Sequence, residues 1–457
     1  MKKFLLTAAI VAGAATVAQA ADLPRKAPIK APILQVYDWT GFYIGVNAGG
    51  SVGRDLTRAT SAFANEASHL SPAGAVGGGQ IGYNVQFRNF YNLVLGVEAD
   101  IQASGQRDNF TCLLACTPPA AFQTYSQKID WFGTARARVG LASGPVLSYV
   151  TGGYAYGHVS TSSTAALGGV TAVGTQSQTR GGYVIGSGVE AQLGGNWTGK
   201  IEYLYVDLGT QRTAGVIAGV PFTGSSKIQD HVFRAGVNYQ FGGNANYIAP
   251  VANWSGFYLG GNVGSIIGRN RTTITPIQFS LVPEGYIGGG QIGYNWQAGA
   301  WVFGVEGDFQ GSTAKDNKAC VFLCTPVLAV AINQKLPWLA TARGRIGYSV
   351  GSTLFYGTAG YAYGETKTAF TVVGAAPVPE VKKSKGGYVV GAGIESPLSF
   401  LGLFGPNWTT KTEYLYVDLG RISAPAIGFT TQTREHIFRT GINYHFNTPI
   451  AAVVAKN

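Results

Sequence analysis

The feature that most constrains the fold of this 457-residue chain is an internal duplication. The segment GGGQIGYN at 77–84 recurs unchanged at 288–295, and NWTGKIEYLYVDLG at 196–209 recurs as NWTTKTEYLYVDLG at 407–420. Solenoid repeats have periods of about 20–50 residues, so a period this long indicates a duplicated domain. The chain is therefore predicted to contain two copies of one folding unit.

Segments of alternating polarity occur eight times in each copy, and each is predicted to be a β-strand. Their lengths of roughly 10–14 residues suit tilted membrane strands, which need about 9–11. No apolar run of 18 residues follows residue 20, which excludes a bundle of transmembrane helices. In the first copy the segments lie near 39–50, 75–87, 92–102, 127–141, 147–159, 180–193, 197–207 and 231–241.

Long and short connections alternate between these segments. Outer-membrane barrels place long loops outside the cell and short turns in the periplasm. Each copy is therefore predicted to be an all-β, antiparallel, up-and-down transmembrane barrel of eight strands. The long gaps fall at 51–74, 103–126, 160–179 and 208–230, and the short gaps at 88–91, 142–146 and 194–196.

Two arrangements of the duplicated strands remain open. Two complete barrels, at 38–241 and 253–446 with a periplasmic linker at 242–252, explain why two similar closing strands occur. One sixteen-stranded barrel is the alternative. A Pro- and Lys-containing periplasmic leader at 21–37 and a periplasmic tail at 447–457 complete the predicted organisation.

The first twenty residues have the pattern of a secretory signal peptide. Lys2 and Lys3 precede an apolar run, and Ala18-Gln19-Ala20 matches a cleavage signature. Cleavage between Ala20 and Ala21 removes two lysines, so the net charge falls from +11 to +9.

Four cysteines form two closely spaced pairs, Cys112 with Cys116 and Cys320 with Cys324. An exported chain enters an oxidising compartment, so both pairs are predicted to be disulfides. A zinc site is the alternative, but neither pair has a second Cys or His pair at ligand spacing.

Charged residues alternate with apolar residues in the predicted strands. Lipid accepts only the apolar face, so the charged face is predicted to point into the lumen. An eight-stranded barrel has an interior just wide enough for side chains, so a balanced set of charges is expected to pair and close the bore. A narrow or gated pore is the alternative. The predicted lumen set is Glu98, Asp100, Arg136, Arg138, Glu190, Lys200, Glu202 and Arg234 in the first copy, and Glu306, Asp308, Arg343, Arg345, Glu395, Lys411, Glu413 and Arg439 in the second.

A glycine pattern at Gly77, Gly79 and Gly82 imitates a dinucleotide-binding fingerprint. A phosphate site of that kind needs a helix N-terminus directly after the glycines, and here a strand pattern continues. No nucleophile and base recur in both copies either. The sequence therefore predicts no enzyme activity, no cofactor and no catalytic or metal site.

Several motifs resemble one known family. They are the start Ala21-Asp22-Leu23-Pro24, the opening W-x-G-F-Y, GGGQIGYN, G-V-E-x-D and the closing strand. The chain resembles the RopB-type outer-membrane barrels of alphaproteobacteria, which are related to the OmpA-like and opacity proteins. Members of that family usually carry a single unit, whereas this chain has two and continues past Phe446. The closing strand resembles the signal read by the barrel-assembly machinery, here Gly236, Tyr239 and Phe241, and again Gly441, Tyr444 and Phe446.

The resemblance implies a structural and surface-interaction role in the cell outer membrane. A porin-like passive channel is the alternative function. The expected partners are outer-membrane lipid, lipopolysaccharide and the barrel-assembly machinery, with no nucleic acid. Related barrels that begin with Ala and an acidic residue also imply an amide link from Ala21 to peptidoglycan, for which a flexible leader is the alternative. Lys382, Lys383 and Lys385 are expected to contact lipopolysaccharide phosphates, although a merely solvated loop would look the same.

Overall fold

The structure is a computed structural model. It describes residues 37–61, 65–111, 121–167, 170–217, 219–242, 252–274, 277–318, 330–372, 379–398, 404–425 and 428–446. The predicted signal peptide, the cleavage site at Ala20 and Ala21, the tail, nearly all of the leader and most of the linker lie outside these residues. Cys112, Cys116, Cys320 and Cys324 also lie outside them, so both disulfides stay predictions.

The first copy consists of antiparallel strands. Its strands are β1 (Gly41–Gly53), β2 (Asp55–Ser61), β3 (Asn65–Leu70), β4 (Ala73–Phe87), β5 (Leu93–Thr111), β6 (Ala121–Ser143), β7 (Val146–Leu167), β8 (Val170–Gly194), β9 (Trp197–Ile217) and β10 (Val220–Phe241).

The second copy repeats this order with one strand more. Its strands are β11 (Gly256–Gly268), β12 (Asn270–Ile274), β13 (Ile277–Leu281), β14 (Glu284–Ala298), β15 (Trp301–Ser312), β16 (Lys315–Lys318), β17 (Val330–Val350), β18 (Thr353–Val372), β19 (Val381–Pro397), β20 (Trp408–Ala424) and β21 (Phe429–His445). The additional strand arises because β15 and β16 together correspond to β5. Among the described residues no helix is both long enough and apolar enough to cross a membrane.

Each copy joins its own first and last long strands. β1 pairs with β10 from Phe42↔Phe241 to Gly53↔Asp230, and β11 pairs with β21 from Tyr258↔His445 to Gly268↔Glu435. The intervening long strands of both copies pair with their neighbours in sequence order. The pairing therefore follows the predicted two rings of eight strands and not one ring of sixteen.

The strands extend further than the alternation of the sequence predicted. Most of the gap at 103–126 and nearly all of 160–179 and 208–230 were expected to be loops, but they continue the strands away from the short turns. In the gap at 51–74, β2 and β3 form an additional hairpin that also pairs with β10. Parts of these extensions, such as Ser160 to Ser163, are polar on both faces and lack the alternation that marks the spanning segments.

A band of exposed apolar side chains surrounds each ring. Val46, Val97 and Val263 are 66%, 60% and 71% exposed, as expected of side chains that face lipid. Pairs of aromatic rings lie near the short-turn ends, where Trp197 contacts Tyr239 at 5.1 Å between ring centroids and Trp408 contacts Tyr444 at 5.2 Å. Aromatic girdles of this kind mark the interfaces of a membrane barrel.

The two barrels also contact each other through a pseudo-twofold arrangement. The rings of Tyr203 and Phe438 lie 5.6 Å apart, and the corresponding pair with the copies exchanged, Tyr414 and Phe233, lie 4.9 Å apart. The apolar side chains of the predicted strands, which include Phe233, were predicted to face lipid. That prediction is wrong for Phe233, which is only 4% exposed and packs with Ile267, Val282 and Phe438 of the other barrel.

Candidate functional site: the barrel interiors

The strand alternation points one set of charged side chains into each barrel. In the first copy, β5 contributes Glu98 and Asp100, β6 Arg136 and Arg138, β8 Glu190, β9 Lys200 and Glu202, and β10 Arg234. The structure brings the predicted residues of each copy together, and none is more than 7% exposed. Buried charges are tolerated only when they are paired and hydrogen-bonded, so their contacts decide what the interior can do.

Arg136 is the centre of the first network. Its guanidinium donates to Glu202 at 2.9 Å and to Asp100 at 3.0 Å, and it also forms an ion pair with Glu98. These three acids come from two different strands. Arg136 therefore links β5 and β9 through the lumen.

Two further cations complete this network. The ammonium of Lys200 lies 2.9 Å from one oxygen of Glu98 and 3.0 Å from the other. Arg234 donates through Nε to Glu202 at 2.8 Å and through Nη2 to Asp100 at 2.9 Å. Every acid in this layer therefore contacts at least two cations.

Arg138 forms a second group nearer the short turns. It donates to Glu190 at 2.9 Å and to the Asn84 side-chain oxygen at 2.7 Å. Its guanidinium carbon also lies 4.6 Å from the ring centre of Tyr43 and 5.2 Å from that of Tyr149. Cation–π contacts strengthen when water is excluded, so the two rings stabilise a charge that cannot reach solvent.

The two tyrosines connect the groups. Tyr43 donates to Glu98 at 2.7 Å, and Tyr149 donates to Glu202 at 2.9 Å. Gly82, in the GGGQIGYN motif, makes room for the Tyr43 hydroxyl, because a Cβ at Gly82 would overlap it. The motif that imitates a nucleotide fingerprint thus has a packing role beside the charged layer.

The second barrel repeats these contacts. Arg343 pairs with Glu306, with Asp308 at 3.0 Å and with Glu413 at 3.2 Å, while Arg345 donates to Glu395 at 2.9 Å. Lys411 and Arg439 complete the network as Lys411–Glu306 at 2.8 Å and Arg439–Glu413 at 2.6 Å. One difference is His445, whose Nε2 lies 3.3 Å from Glu395 where the first copy has Gln240.

Apolar side chains fill the lumen on both sides of the charges in the first barrel. On the loop side, Phe132, Val184 and Leu204 belong to one buried cluster. On the turn side, Trp39, which precedes β1, packs on Leu147 and donates through Nε1 to the Gly144 carbonyl at 3.1 Å. The interior therefore consists of an apolar layer, a charged layer and an aromatic base.

Sequence reasoning missed these uncharged lumen residues. It treated apolar side chains on the strands as lipid-facing, and alternation alone cannot distinguish an inward Leu204 from an outward Leu95. The signal that could have found them is phase: Leu204 is two residues from Glu202, so both side chains point to the same side of β9.

A polar cluster lies beyond the apolar layer, outside the spanning part of the first barrel. Asp55 of β2 accepts hydrogen bonds from the Gln229 backbone at 2.7 Å and from the Gln127 side chain. Burial raises the pKa of Asp55 well above its usual value, and the charge of Asp230 raises it further. In the second barrel Asn270 occupies the corresponding position, accepts from the Arg434 backbone and donates to Gln334.

The predicted assembly-signal residues lie at the turn ends of the closing strands. Phe241 and Phe446 are 59% and 56% exposed, and each contacts its neighbouring tyrosine, Tyr239 at 5.3 Å and Tyr444 at 5.2 Å. Gly236 and Gly441 face the lumen, where a Cβ at Gly236 would lie 3.0 Å from the Val46 carbonyl oxygen. Recognition of these residues by the assembly machinery stays a prediction.

In the part of the chain that the structure describes, no group of three or more His, Cys, Asp or Glu side chains is arranged to hold a metal ion. The geometry of the lumen instead places each predicted acid of the charged layer against cations of this chain. The ion pairs of this arrangement hold the strands of each barrel together.

Together, the antiparallel rings, the exposed apolar band and the buried inward charges define a membrane β-barrel. The chain belongs to the outer membrane protein beta-barrel domain family, whose model matches twice, at residues 6–241 and 247–446. This family assignment confirms the predicted fold class and the location in the cell outer membrane.

Curated relatives agree with this assignment. A 31 kDa outer-membrane immunogenic protein of Brucella melitensis is 37% identical over 252 residues, which are 52% of this chain and 100% of the relative. A 22 kDa outer membrane protein of Rhizobium leguminosarum is 35% identical over 37% of this chain and 67% of its own length. Among solved structures, neisserial surface protein A matches 42% of this chain and 98% of its own at 13% identity, with a TM-score of 0.24.

Proposed function

We propose that this protein is a structural outer-membrane barrel whose two lumens are closed, and that it supports the envelope and presents its extracellular ends to the surroundings. The observation that carries this proposal is the pairing of all four cations with acids in each lumen. A water-filled pore would leave such side chains hydrated and mobile. In the first barrel, apolar side chains lie on both sides of the charged layer, which supports a lumen without a hydrated route for ions.

The energetics of the charged layer support a structural role. A buried ion pair gains little net free energy over apolar packing, but loss of one partner leaves an uncompensated charge. Each Arg in the layer contacts acids from different strands. The network therefore favours one register of the barrel over others, as buried polar groups do in several protein systems.

Conductance in planar lipid bilayers tests the closed lumen. We expect no stable current steps from the purified protein, with vesicle reconstitution and protease protection as the control that the protein is inserted. Stable, ion-selective conductance of the unmutated protein would contradict the proposal and favour a porin-like channel.

The surface role rests on the extracellular ends of the strands. The Brucella relatives are named immunogenic, which fits a protein whose loop side is accessible. In this chain, Lys382, Lys383 and Lys385 are exposed at the loop end of β19. We infer that these three lysines pair with lipopolysaccharide phosphates, because exposed ammonium groups form charge-assisted hydrogen bonds with phosphate oxygens.

A further inference from the structure

A groove of about 890 Å³ runs between the outer walls of the two barrels. This volume falls within the ~300–1,000 Å³ of most small-molecule sites. The first barrel lines it with Val139, Val150 and Val189, and the second with Thr412 and Phe438. These side chains point away from both lumens, so the groove lies on the membrane side of the protein and is continuous with the contact between the barrels.

The groove lies at the turn ends of the strands. Its border includes Asn92 and Gly144, which belong to two short turns of the first barrel, and Leu398, which follows β19 of the second. Short turns of outer-membrane barrels face the periplasm. The groove is therefore at the depth of the periplasmic leaflet, which consists of phospholipid.

The pseudo-twofold arrangement predicts a second groove, but a side chain occupies that position. Phe355 of the second barrel is the counterpart of Ser148 in the first. Phe355 lies between Leu354 and Tyr356, and Ser148 lies between Leu147 and Tyr149. Phe355 packs against the other barrel, with its ring 3.3 Å from where a Cβ of Gly199 would lie. Ser148 is small and exposed, so the first groove stays open.

Hydroxyl groups accompany the apolar wall of the open groove. Ser148, Ser187, Thr410 and Thr440 line it, and Thr440 shares a 3.0 Å hydrogen bond with Thr412. The matching position to Thr440 in the first copy is Ala235, and the match to Thr410 is Gly199. Hydroxyls donate and accept hydrogen bonds, so they suit a ligand that has an apolar chain and ester oxygens.

We propose that this groove binds one glycerophospholipid of the periplasmic leaflet, with an acyl chain along the valine wall and its ester oxygens near the serine and threonine hydroxyls. Phe355 takes the place of such a chain on the other side of the interface. The site lies outside both lumens, so it does not depend on whether they conduct ions.

Native mass spectrometry of the full chain, extracted from outer membranes in mild detergent, tests this proposal. We expect one bound glycerophospholipid per unmutated chain after activation strips loosely held detergent. Ser148→Phe, which copies the second barrel, should abolish this adduct. Phe355→Ser, which copies the first, should add a second one. Ser148→Ala is the matched control for Ser148→Phe, because it preserves the open volume and should retain the phospholipid.

Folding of each variant is checked by heat-modifiable migration in gels, which is independent of lipid retention. Equal phospholipid retention by folded Ser148→Phe and unmutated protein would overturn the proposal. So would unmutated protein that carries no phospholipid, or that carries only lipopolysaccharide. An unchanged lipid count in folded Phe355→Ser would show that Phe355 does not fill an equivalent site, which also contradicts the proposal.

Discussion

The guanidinium of Arg54 in the first barrel lies 3.6 Å from the carboxylate of Asp316 in the second. The reciprocal pair, Arg269 with Asp108, is separated by the same 3.6 Å. Arg54 also donates to the Val282 carbonyl at 3.1 Å, and Arg269 to the Ser71 carbonyl at 2.9 Å. Such reciprocity characterises the isologous interface of a symmetric dimer, here formed within one chain.

This relationship predicts that the arginines hold the barrels together. Arg54→Ala combined with Arg269→Ala should weaken the contact by about 1.5–3 kcal/mol per lost charged hydrogen-bond donor, because Asp316 and Asp108 stay buried. A protease site inserted between Gly242 and Ala252 separates the halves covalently. Size-exclusion chromatography after cleavage should show intact pairs for the unmutated arginines and separate barrels for the double variant. Co-elution in both cases would contradict the prediction.

Removal of Arg136 should destabilise the first barrel strongly. Arg136→Ala leaves Glu98, Asp100 and Glu202 short of a cation in a buried layer, which costs about 3–5 kcal/mol. Urea unfolding in detergent micelles, followed by tryptophan fluorescence, measures the change. Arg88→Ala is the matched control, because Arg88 pairs with Asp38 at 2.9 Å but is 49% exposed, so its loss should cost about 0–1 kcal/mol. Equal effects of the two variants would show that the network contributes nothing.

The raised pKa of Asp55 predicts that the first barrel loses stability as the pH rises. The folded state raises the pKa of Asp55, so it holds a proton that the unfolded chain has already released. This contribution to stability is complete below the unfolded pKa and disappears as the pH rises through the folded pKa. Asp55→Asn, which reproduces Asn270 of the second barrel, removes the titration.

The variant should therefore be more stable than the unmutated protein at about pH 8, and the difference should shrink toward about pH 4. Urea midpoints at both pH values measure this. Asn270→Asp should add a pH dependence of this kind to the second barrel, where burial already raises the pKa of Glu435 to about 8. A stability difference that does not change with pH would contradict the assignment to Asp55.

We predict that the lysines of β19 help the protein to retain bound lipopolysaccharide. Reversal of Lys382, Lys383 and Lys385 to Glu should lower the lipopolysaccharide that copurifies with the protein. The first copy carries Ser177 and Gln178 at the positions that match Lys382 and Lys383. Replacement by Ser and Gln should thus give an intermediate amount, since Lys385 remains. Unchanged retention in the reversed variant would favour a merely solvated segment.

The spanning parts of the strands could be predicted because lipid on one side and charge on the other enforce alternation. For example, Glu98 lies between Val97 and Ala99, and this alternation alone identifies Glu98 as the residue that points inward. The strand ends outside the membrane obey no such rule. Thr161 and Ser162 lie on opposite faces of β7, but both side chains are polar. The sequence therefore could not distinguish a strand from a loop there.

The partners of the outer faces were harder to predict. Val97 and Phe233 are both apolar residues on the outward face of a strand, yet Val97 is 60% exposed while Phe233 packs against the second barrel. Lipid and a second barrel wall both accept apolar side chains. Contacts between the barrels, such as those of Arg54 and Arg269, distinguish the two cases, and these depend on three-dimensional placement.

Covalent linkage of the two barrels has an evolutionary consequence. In a dimer of identical chains, any substitution appears on both sides of the twofold axis at once. Here the counterpart of Ser148 is Phe355, and the counterpart of Asp55 is Asn270, so the two halves have diverged independently. A duplicated gene can therefore specialise one side of a symmetric contact while the other preserves the packing, a freedom that a single-barrel relative does not have.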